Sequence, residues 1–190
     1  MQKIDIINLA LARLGLPTIS SLTEGSEEAA KASMCWEGAV DATLQAYRWD
    51  FNTRRTALAL ISEDPDGYPY RYCYGDPANM VQAYAIFDDS PGHDRIIPFI
   101  HENRCIYTDQ ADAILIYGVR ETAVSKFSPQ FNDALAWRLV GDMAMALTQR
   151  TDLAKQAEQL FQQALSKAAT LAANGRRQAR RLPSYIRARV

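Results

Sequence analysis

The longest helical pattern in the chain is residues 128–175, SPQFNDALAWRLVGDMAMALTQRTDLAKQAEQLFQQALSKAATLAANG. Ser128 is a predicted N-cap, and Pro129 suits the first helical position because its missing amide would have no partner there. Apolar residues spaced at helical intervals then mark one face of each of two helices, which meet near Thr151. Because the connection is short, these helices are expected to lie antiparallel. The second is expected to end at residues 174–175.

Two more helices are predicted at the start of the chain. The first covers about residues 2–14, and Gly15 followed by Pro17 forms its stop, since glycine takes the left-handed conformation and proline cannot continue the ladder. The second follows a Ser26 N-cap and is expected to end near residues 47–49.

The middle of the chain changes to the pattern of short strands. Segments rich in Tyr, Ile, Val and Phe alternate with turn sequences such as Asp-Pro and Pro-Gly, which predicts a small antiparallel sheet of about four to six strands. The predicted strands are residues 68–74, 83–87, 95–100, 104–108 and 113–117, with a hairpin turn at 101–103.

These elements predict an α+β fold that is mainly α. Two N-terminal and two C-terminal helices would form a four-helix bundle, with an inserted small antiparallel β domain and an extended basic C-terminal tail. The expected boundaries are 1–60 for the N-terminal half of the bundle, 61–125 for the β domain, 126–175 for the C-terminal half of the bundle and 176–190 for the tail.

Aromatic residues are concentrated in the middle of the chain. Four tyrosines alternate along one predicted strand and are expected on one face of the sheet: Tyr68, Tyr70, Tyr72 and Tyr74. That face is either a contact surface or part of the core, and the sequence leaves both open. The tryptophans are expected to anchor the core with their indole nitrogens hydrogen-bonded.

Positive charge is concentrated at the C-terminus. The last fifteen residues hold six arginines and no acid, whereas the other 175 residues hold 15 basic and 22 acidic side chains, a net charge of −7. Guanidinium groups clamp carboxylates or phosphates in pairs, so the tail fits an acidic protein surface or a nucleic acid. A solvated tail that binds nothing is the alternative.

The sequence carries no recognisable catalytic motif. His93 and His101 lack partners at ligand spacing and are expected to be polar turn residues. Residues 63–67 resemble part of a calcium loop, but Pro65 interrupts them, so they predict a turn. We therefore expect no catalytic residue, no metal and no cofactor, and the protein is not expected to be an enzyme.

Two segments near the N-terminus resemble a known family. The first is NLALARLGLPTISSL, residues 8–22, and the second is WDFNTRR, residues 49–55. At this spacing they resemble the start of podovirus tail tubular protein A and related head-to-tail adaptor proteins. The plan of two early helices, a strand-rich middle and two late helices is similar too. The matching residues are Asn8, Leu11, Leu14, Gly15, Pro17, Ile19, Ser21, Leu22, Trp49, Phe51, Asn52 and Arg55.

The resemblance implies a structural virion protein. Such adaptors form a ring, here expected to be dodecameric, that binds the portal protein on one face and the tail nozzle protein on the other and lets genome DNA pass during ejection. Their C-terminal segment reaches along the portal. The matching residues here are Arg176, Arg177, Arg180, Arg181, Tyr185, Arg187 and Arg189.

The expected location is the head–tail junction of the virion, with the host cytoplasm as the site of assembly. The first residues lack the apolar run of a signal peptide, and no window reaches membrane-spanning length, so no membrane insertion is expected. Two other functions stay open: a nucleic-acid-binding protein that uses the arginine-rich tail, and a tail-associated cell-wall hydrolase that uses unassigned carboxylates.

Overall fold

The computed structural model describes residues 1–88 and 97–177. By contacts the chain divides into two compact units, one of residues 1–39 together with the segment from residue 128 onward, and one of residues 40–127. The elements in order are α1 (Lys3–Leu14), α2 (Glu27–Ala46), β1 (Thr53–Ala57), β2 (Leu60–Glu63), β3 (Tyr72–Gly75), β4 (Met80–Phe87), β5 (Ile100–Glu102), β6 (Cys105–Thr108), β7 (Ile114–Val119), α3 (Pro129–Thr148) and α4 (Thr151–Arg177).

The first unit is helical. Helix α3 packs against both α1 and α4, and its apolar stripe is fully buried. Burying a large apolar side chain of this kind stabilises a fold by about 1.5–3 kcal/mol. The stripe consists of Phe131, Leu135, Leu139 and Met143.

The predicted helix ends are confirmed at three positions. The Ser128 side chain accepts from the Phe131 amide at 3.2 Å, and Pro129 is the first helical residue. Helix α1 ends at Gly15, whose φ of 73° is left-handed. The stop expected at residues 174–175 is wrong, because α4 continues to Arg177. A glycine inside a helix costs only about 1 kcal/mol relative to alanine, so it does not end a helix by itself.

The second unit contains two antiparallel sheets with a common core. The strand orders are β1-β7-β4 and β2-β3-β6-β5. Tyr74 of β3 and Ile106 of β6 pair in register, and both are buried in one cluster with Ile86 of β4 and Leu115 of β7. The two sheets therefore bury apolar faces against each other.

The predicted mainly α fold is wrong. Over residues 1–88 and 97–177 the protein is α+β with seven strands in two sheets, rather than a four-helix bundle that carries one small sheet. Strands β1 and β2 lie where the helical half was expected to end, and the last residues of α2, 40–46, belong to the second unit. These strands carry TRRTA and LISE, which lack the alternation of a half-buried strand. Strand β1 forms by pairing with the distant β7, and β2 forms by pairing with β3, the next strand along the chain.

Two details of the predicted sheet also differ. The hairpin exists, but its first strand begins at Ile100, and its turn is Asn103 and Arg104, with φ of 52° and 61°. The four tyrosines do not share a face. Tyr74 is in the core, whereas Tyr68 precedes β3 and stacks on Tyr107, with ring centres 3.7 Å apart, on the opposite face.

Candidate functional site

The first family-like segment forms the end of α1 and the loop after it. The Asn8 side chain donates to the Ile19 carbonyl at 2.9 Å and accepts from the Ile19 amide at 2.8 Å. Leu11 and Leu14 are buried, and the amide of Gly15 donates to the Ala12 carbonyl at 3.1 Å. These residues fold the loop back onto α1. Pro17 lies exposed in that loop.

A carboxylate that the sequence analysis missed closes the next part of the loop. Glu24 accepts from the Ser20 amide and hydroxyl at 2.9 and 2.8 Å, from the Ser21 amide at 3.2 Å and from the Ser26 hydroxyl at 2.8 Å. The Ser26 bond first, then the Ser20 bonds, lower the pKa of Glu24 to about 2. Its only sequence signal is a glutamate among three serines.

The second family-like segment follows α2 and belongs to the second unit. The buried Trp49 donates from Nε1 to the Thr43 carbonyl at 2.9 Å, as expected of a core tryptophan. Phe51 lies between two aromatic rings, with centre distances of 6.3 Å to Trp49 and 5.6 Å to Phe127. Phe51 therefore packs into an aromatic cluster.

The remaining residues of that segment reach the first sheet. Asn52 is fully buried and donates from Nδ2 to the Val119 carbonyl at 3.0 Å, while the Val119 amide donates to the Asn52 carbonyl at 2.9 Å. The guanidinium of Arg55 lies 5.6 Å from the ring centre of Phe87. Asn52 therefore attaches the segment to the end of β7, and Arg55 to β4.

A network of charges follows β7. The Glu121 side chain is 10% exposed and accepts from Lys126 Nζ at 2.8 Å and from the Ala123 amide at 3.1 Å. The Lys126 bond is the main reason that the pKa of Glu121 lies below its usual value. Arg120 pairs with Asp41 at 2.6 Å. These contacts fix the segment after β7 within the second unit, and no spacing in the sequence could indicate them.

The expected portal-binding residues lie at the edge of the described chain. The backbone of Arg176 and Arg177 ends α4. The others, Arg180, Arg181, Tyr185, Arg187 and Arg189, lie outside the described residues.

The described histidines and acidic residues do not gather into a metal-binding group. Across 1–88 and 97–177, no group of three or more His, Cys, Asp or Glu side chains could hold a metal ion. His101 lies in β5, not in a turn as expected, with Nε2 3.0 Å from Asp76 Oδ2. His93 lies outside the described residues. Asp64 and Gly67 have left-handed φ of 47° and 81°, which fits the predicted turn.

Large apolar side chains are exposed in both units. In the second unit, neighbouring Leu60 and Ile61 of edge strand β2 are 50% and 61% exposed. In the first unit, Met34 of α2 is 77% exposed and Leu171 of α4 is 55% exposed. None of the helices described is both long and apolar enough to cross a bilayer.

Comparison with known proteins assigns no family. The chain matches no protein-family model, and no curated protein matches it.

Proposed function

We propose that this chain is a structural head-to-tail adaptor of a short-tailed phage, assembling as a ring between portal and tail nozzle and extending the DNA channel. The pair of family-like segments, residues 8–22 and 49–55, carries the proposal. In each segment an asparagine, Asn8 or Asn52, bonds to a distant backbone. Both asparagines therefore stabilise the fold around their segments, as a shared adaptor fold would require.

Exposed apolar side chains support a role in assembly. A ring subunit must present two different surfaces to its neighbours, because each contact joins unlike patches. Leu60 and Ile61 on an edge strand, and Met34 on a helix, would gain from burial by another subunit. Tail nozzle and portal would cover further surface at the two ends of the ring.

The arginine-rich segment supports portal docking. Its guanidinium groups can each make paired hydrogen bonds to carboxylates, which gives orientation as well as charge. Helix α4 extends to Arg177, so the first two arginines are carried on a helix. We assign portal contact to the six arginines and Tyr185.

The test uses the full-length chain and the portal protein of the same phage. One variant replaces all six tail arginines by glutamine, and a matched control replaces them by lysine, which keeps the charge but loses the paired geometry. We expect wild type to form a ring on the portal in electron micrographs, the lysine control to bind more weakly and the glutamine variant not to bind. Normal docking by the glutamine variant would refute the role of the tail, and no wild-type ring with portal would refute the adaptor function.

A second candidate, nucleic-acid binding, rests on the same six arginines. Six phosphate contacts would give a slope of about −5 for the logarithm of affinity for duplex DNA against the logarithm of salt concentration. Titration of a labelled duplex at several salt concentrations measures it. A negligible affinity at low salt excludes this function and leaves the adaptor proposal standing.

A further inference from the structure

Three buried polar atoms in the second unit, on Tyr84 and on two residues beside it, have no protein hydrogen-bond partner. Asn52 is fully buried, and its Nδ2 is committed to the Val119 carbonyl, which fixes Oδ1 as a hydrogen-bond acceptor. Among the described residues, Asn52 Oδ1, the Tyr84 hydroxyl and Arg48 Nε have no hydrogen-bond partner. Buried polar groups in folded proteins are nearly always paired, so three together indicate a ligand.

Gly118 of β7 marks where the side chains of Tyr84 and Asn52 lie close together. A Cβ atom on Gly118 would lie 2.5 Å from the Tyr84 hydroxyl oxygen and 3.4 Å from Asn52 Nδ2. The guanidinium carbon of Arg48 lies 5.2 Å from the ring centre of Tyr84. The Tyr84 hydroxyl can approach the β7 backbone only because residue 118 has no side chain.

We propose that Arg48, Asn52, Tyr84 and Gly118 form a binding site for one internal water molecule. Arg48 Nε can only donate a hydrogen bond, Asn52 Oδ1 can only accept one, and the Tyr84 hydroxyl can do either. A ligand must therefore both accept and donate at once, and it must be small because all three atoms are buried. Water has two lone pairs and two hydrogens and meets these needs.

Other small ligands fit the site less well. An anion would face the lone pairs of Asn52 Oδ1, and a metal cation would lie beside the positive charge of Arg48. Water meets neither objection. Bound there, it joins the segment after α2, which supplies Arg48 and Asn52, to Tyr84 of β4.

A crystal structure of the full chain, at a resolution that shows ordered water, tests the site directly. We expect a density peak of one water about 2.7–3.2 Å from Asn52 Oδ1, the Tyr84 hydroxyl and Arg48 Nε. Direct donation from the Tyr84 hydroxyl to Asn52 Oδ1 with no peak between them would overturn the proposal. A heavier peak with the contacts of an ion would overturn it as well.

Tyr84→Phe supplies a second measurement in solution. This substitution removes only the hydroxyl group, which is one hydrogen-bond partner of the water. The thermal unfolding midpoint should therefore fall by about 2–4 °C. The matched control is Tyr70→Phe, a half-buried loop tyrosine, which should leave the midpoint unchanged. Water–amide cross-relaxation at Gly118 should reveal a long-lived water in the wild-type chain. An unchanged midpoint in Tyr84→Phe with no cross-relaxation would contradict the proposal.

Discussion

The side chain of Asn8 pairs both backbone polar groups of Ile19, donating to the carbonyl at 2.9 Å and accepting from the amide at 2.8 Å. Asn8 lies in the middle of α1, and Ile19 lies in the loop beyond it, buried to 5% exposure. These bonds satisfy the backbone amide and carbonyl of Ile19, which lie outside the hydrogen bonds of any helix or strand. They also hold the Ile19 side chain in the helical core.

Asn8→Ala should therefore destabilise the protein by about 2 kcal/mol, since it removes two hydrogen bonds and leaves a partly buried amide and carbonyl unpaired. Urea unfolding measures the change. Gln45→Ala, at an exposed position of α2, is the control and should change stability by less than about 0.5 kcal/mol. Equal losses in the two variants would show that the Asn8 bonds do not stabilise the loop.

The Glu24 carboxylate predicts a pH dependence in the acid range. Its folded pKa of about 2 is below the usual value of 4.5, mainly through the Ser26 hydroxyl and then Ser20. Because the folded pKa is the lower one, the stabilisation is present above 4.5 and is lost as the pH falls through about 2.

A carboxyl NMR titration should find Glu24 still ionised well below its usual pKa of 4.5. Wild type should be more stable than Glu24→Gln at neutral pH, and the difference should shrink as the pH falls below 4.5. A Glu24 carboxyl that titrates at its usual pKa of 4.5 would rule out the four-bond arrangement.

Helix boundaries could be predicted from the sequence because their signals are local. Ser128 caps the helix that begins at the next residue, and Gly15 ends the helix directly before it. Strands β1 and β2 could not be predicted, because neither carries a regular alternation. Residues 53–57 become a strand by pairing with β7, about sixty positions away in the chain.

In the candidate site, too, some residues could be predicted from the sequence and their contacts could not. Asn8, Gly15 and Asn52 are recognisable as residues of a family-like segment, but their partners are not. The Asn52 bond to Val119 joins residues 67 positions apart. The Tyr84 hydroxyl lies over Gly118 only because β4 pairs with β7. Contacts of this kind depend on register, which a single sequence does not reveal.

Gly118 offers a sharp test of the packing over β7. Gly118→Ala would place its methyl carbon 2.5 Å from the Tyr84 hydroxyl and should cost about 1–3 kcal/mol. In a Tyr84→Phe background the nearest ring carbon is 3.1 Å away, so the same change should cost less. Urea unfolding of the two single variants and the double variant gives the coupling, expected at about 1 kcal/mol.

The control for Gly118→Ala is Gly38→Ala in α2. A Cβ atom added at Gly38 would have no neighbouring atom within 4 Å. Gly38→Ala should stabilise the protein by about 0.5–1 kcal/mol, because alanine is the better helix former. Additive effects of Gly118→Ala and Tyr84→Phe would mean that the hydroxyl does not occupy the space above Gly118.

The hairpin turn between β5 and β6 holds an avoidable strain. Asn103 and Arg104 both have left-handed φ, 52° and 61°, the geometry in which a two-residue hairpin favours Asn followed by Gly. The left-handed conformation costs a non-glycine residue about 1–2 kcal/mol. Glycine avoids this cost, but its greater freedom in the unfolded chain lowers the stability gain by about 0.5–1 kcal/mol.

Arg104→Gly should therefore stabilise the protein by about 0.5–1 kcal/mol in urea unfolding. The bond from the Asp76 amide to the Arg104 carbonyl, 3.2 Å, uses the backbone and survives the change. Arg104→Ala is the control: it removes the same side chain but keeps the strain, so stability should stay within about 0.5 kcal/mol of wild type. If glycine and alanine destabilise alike, the Arg104 side chain makes a stabilising contact that outweighs the strain of the turn.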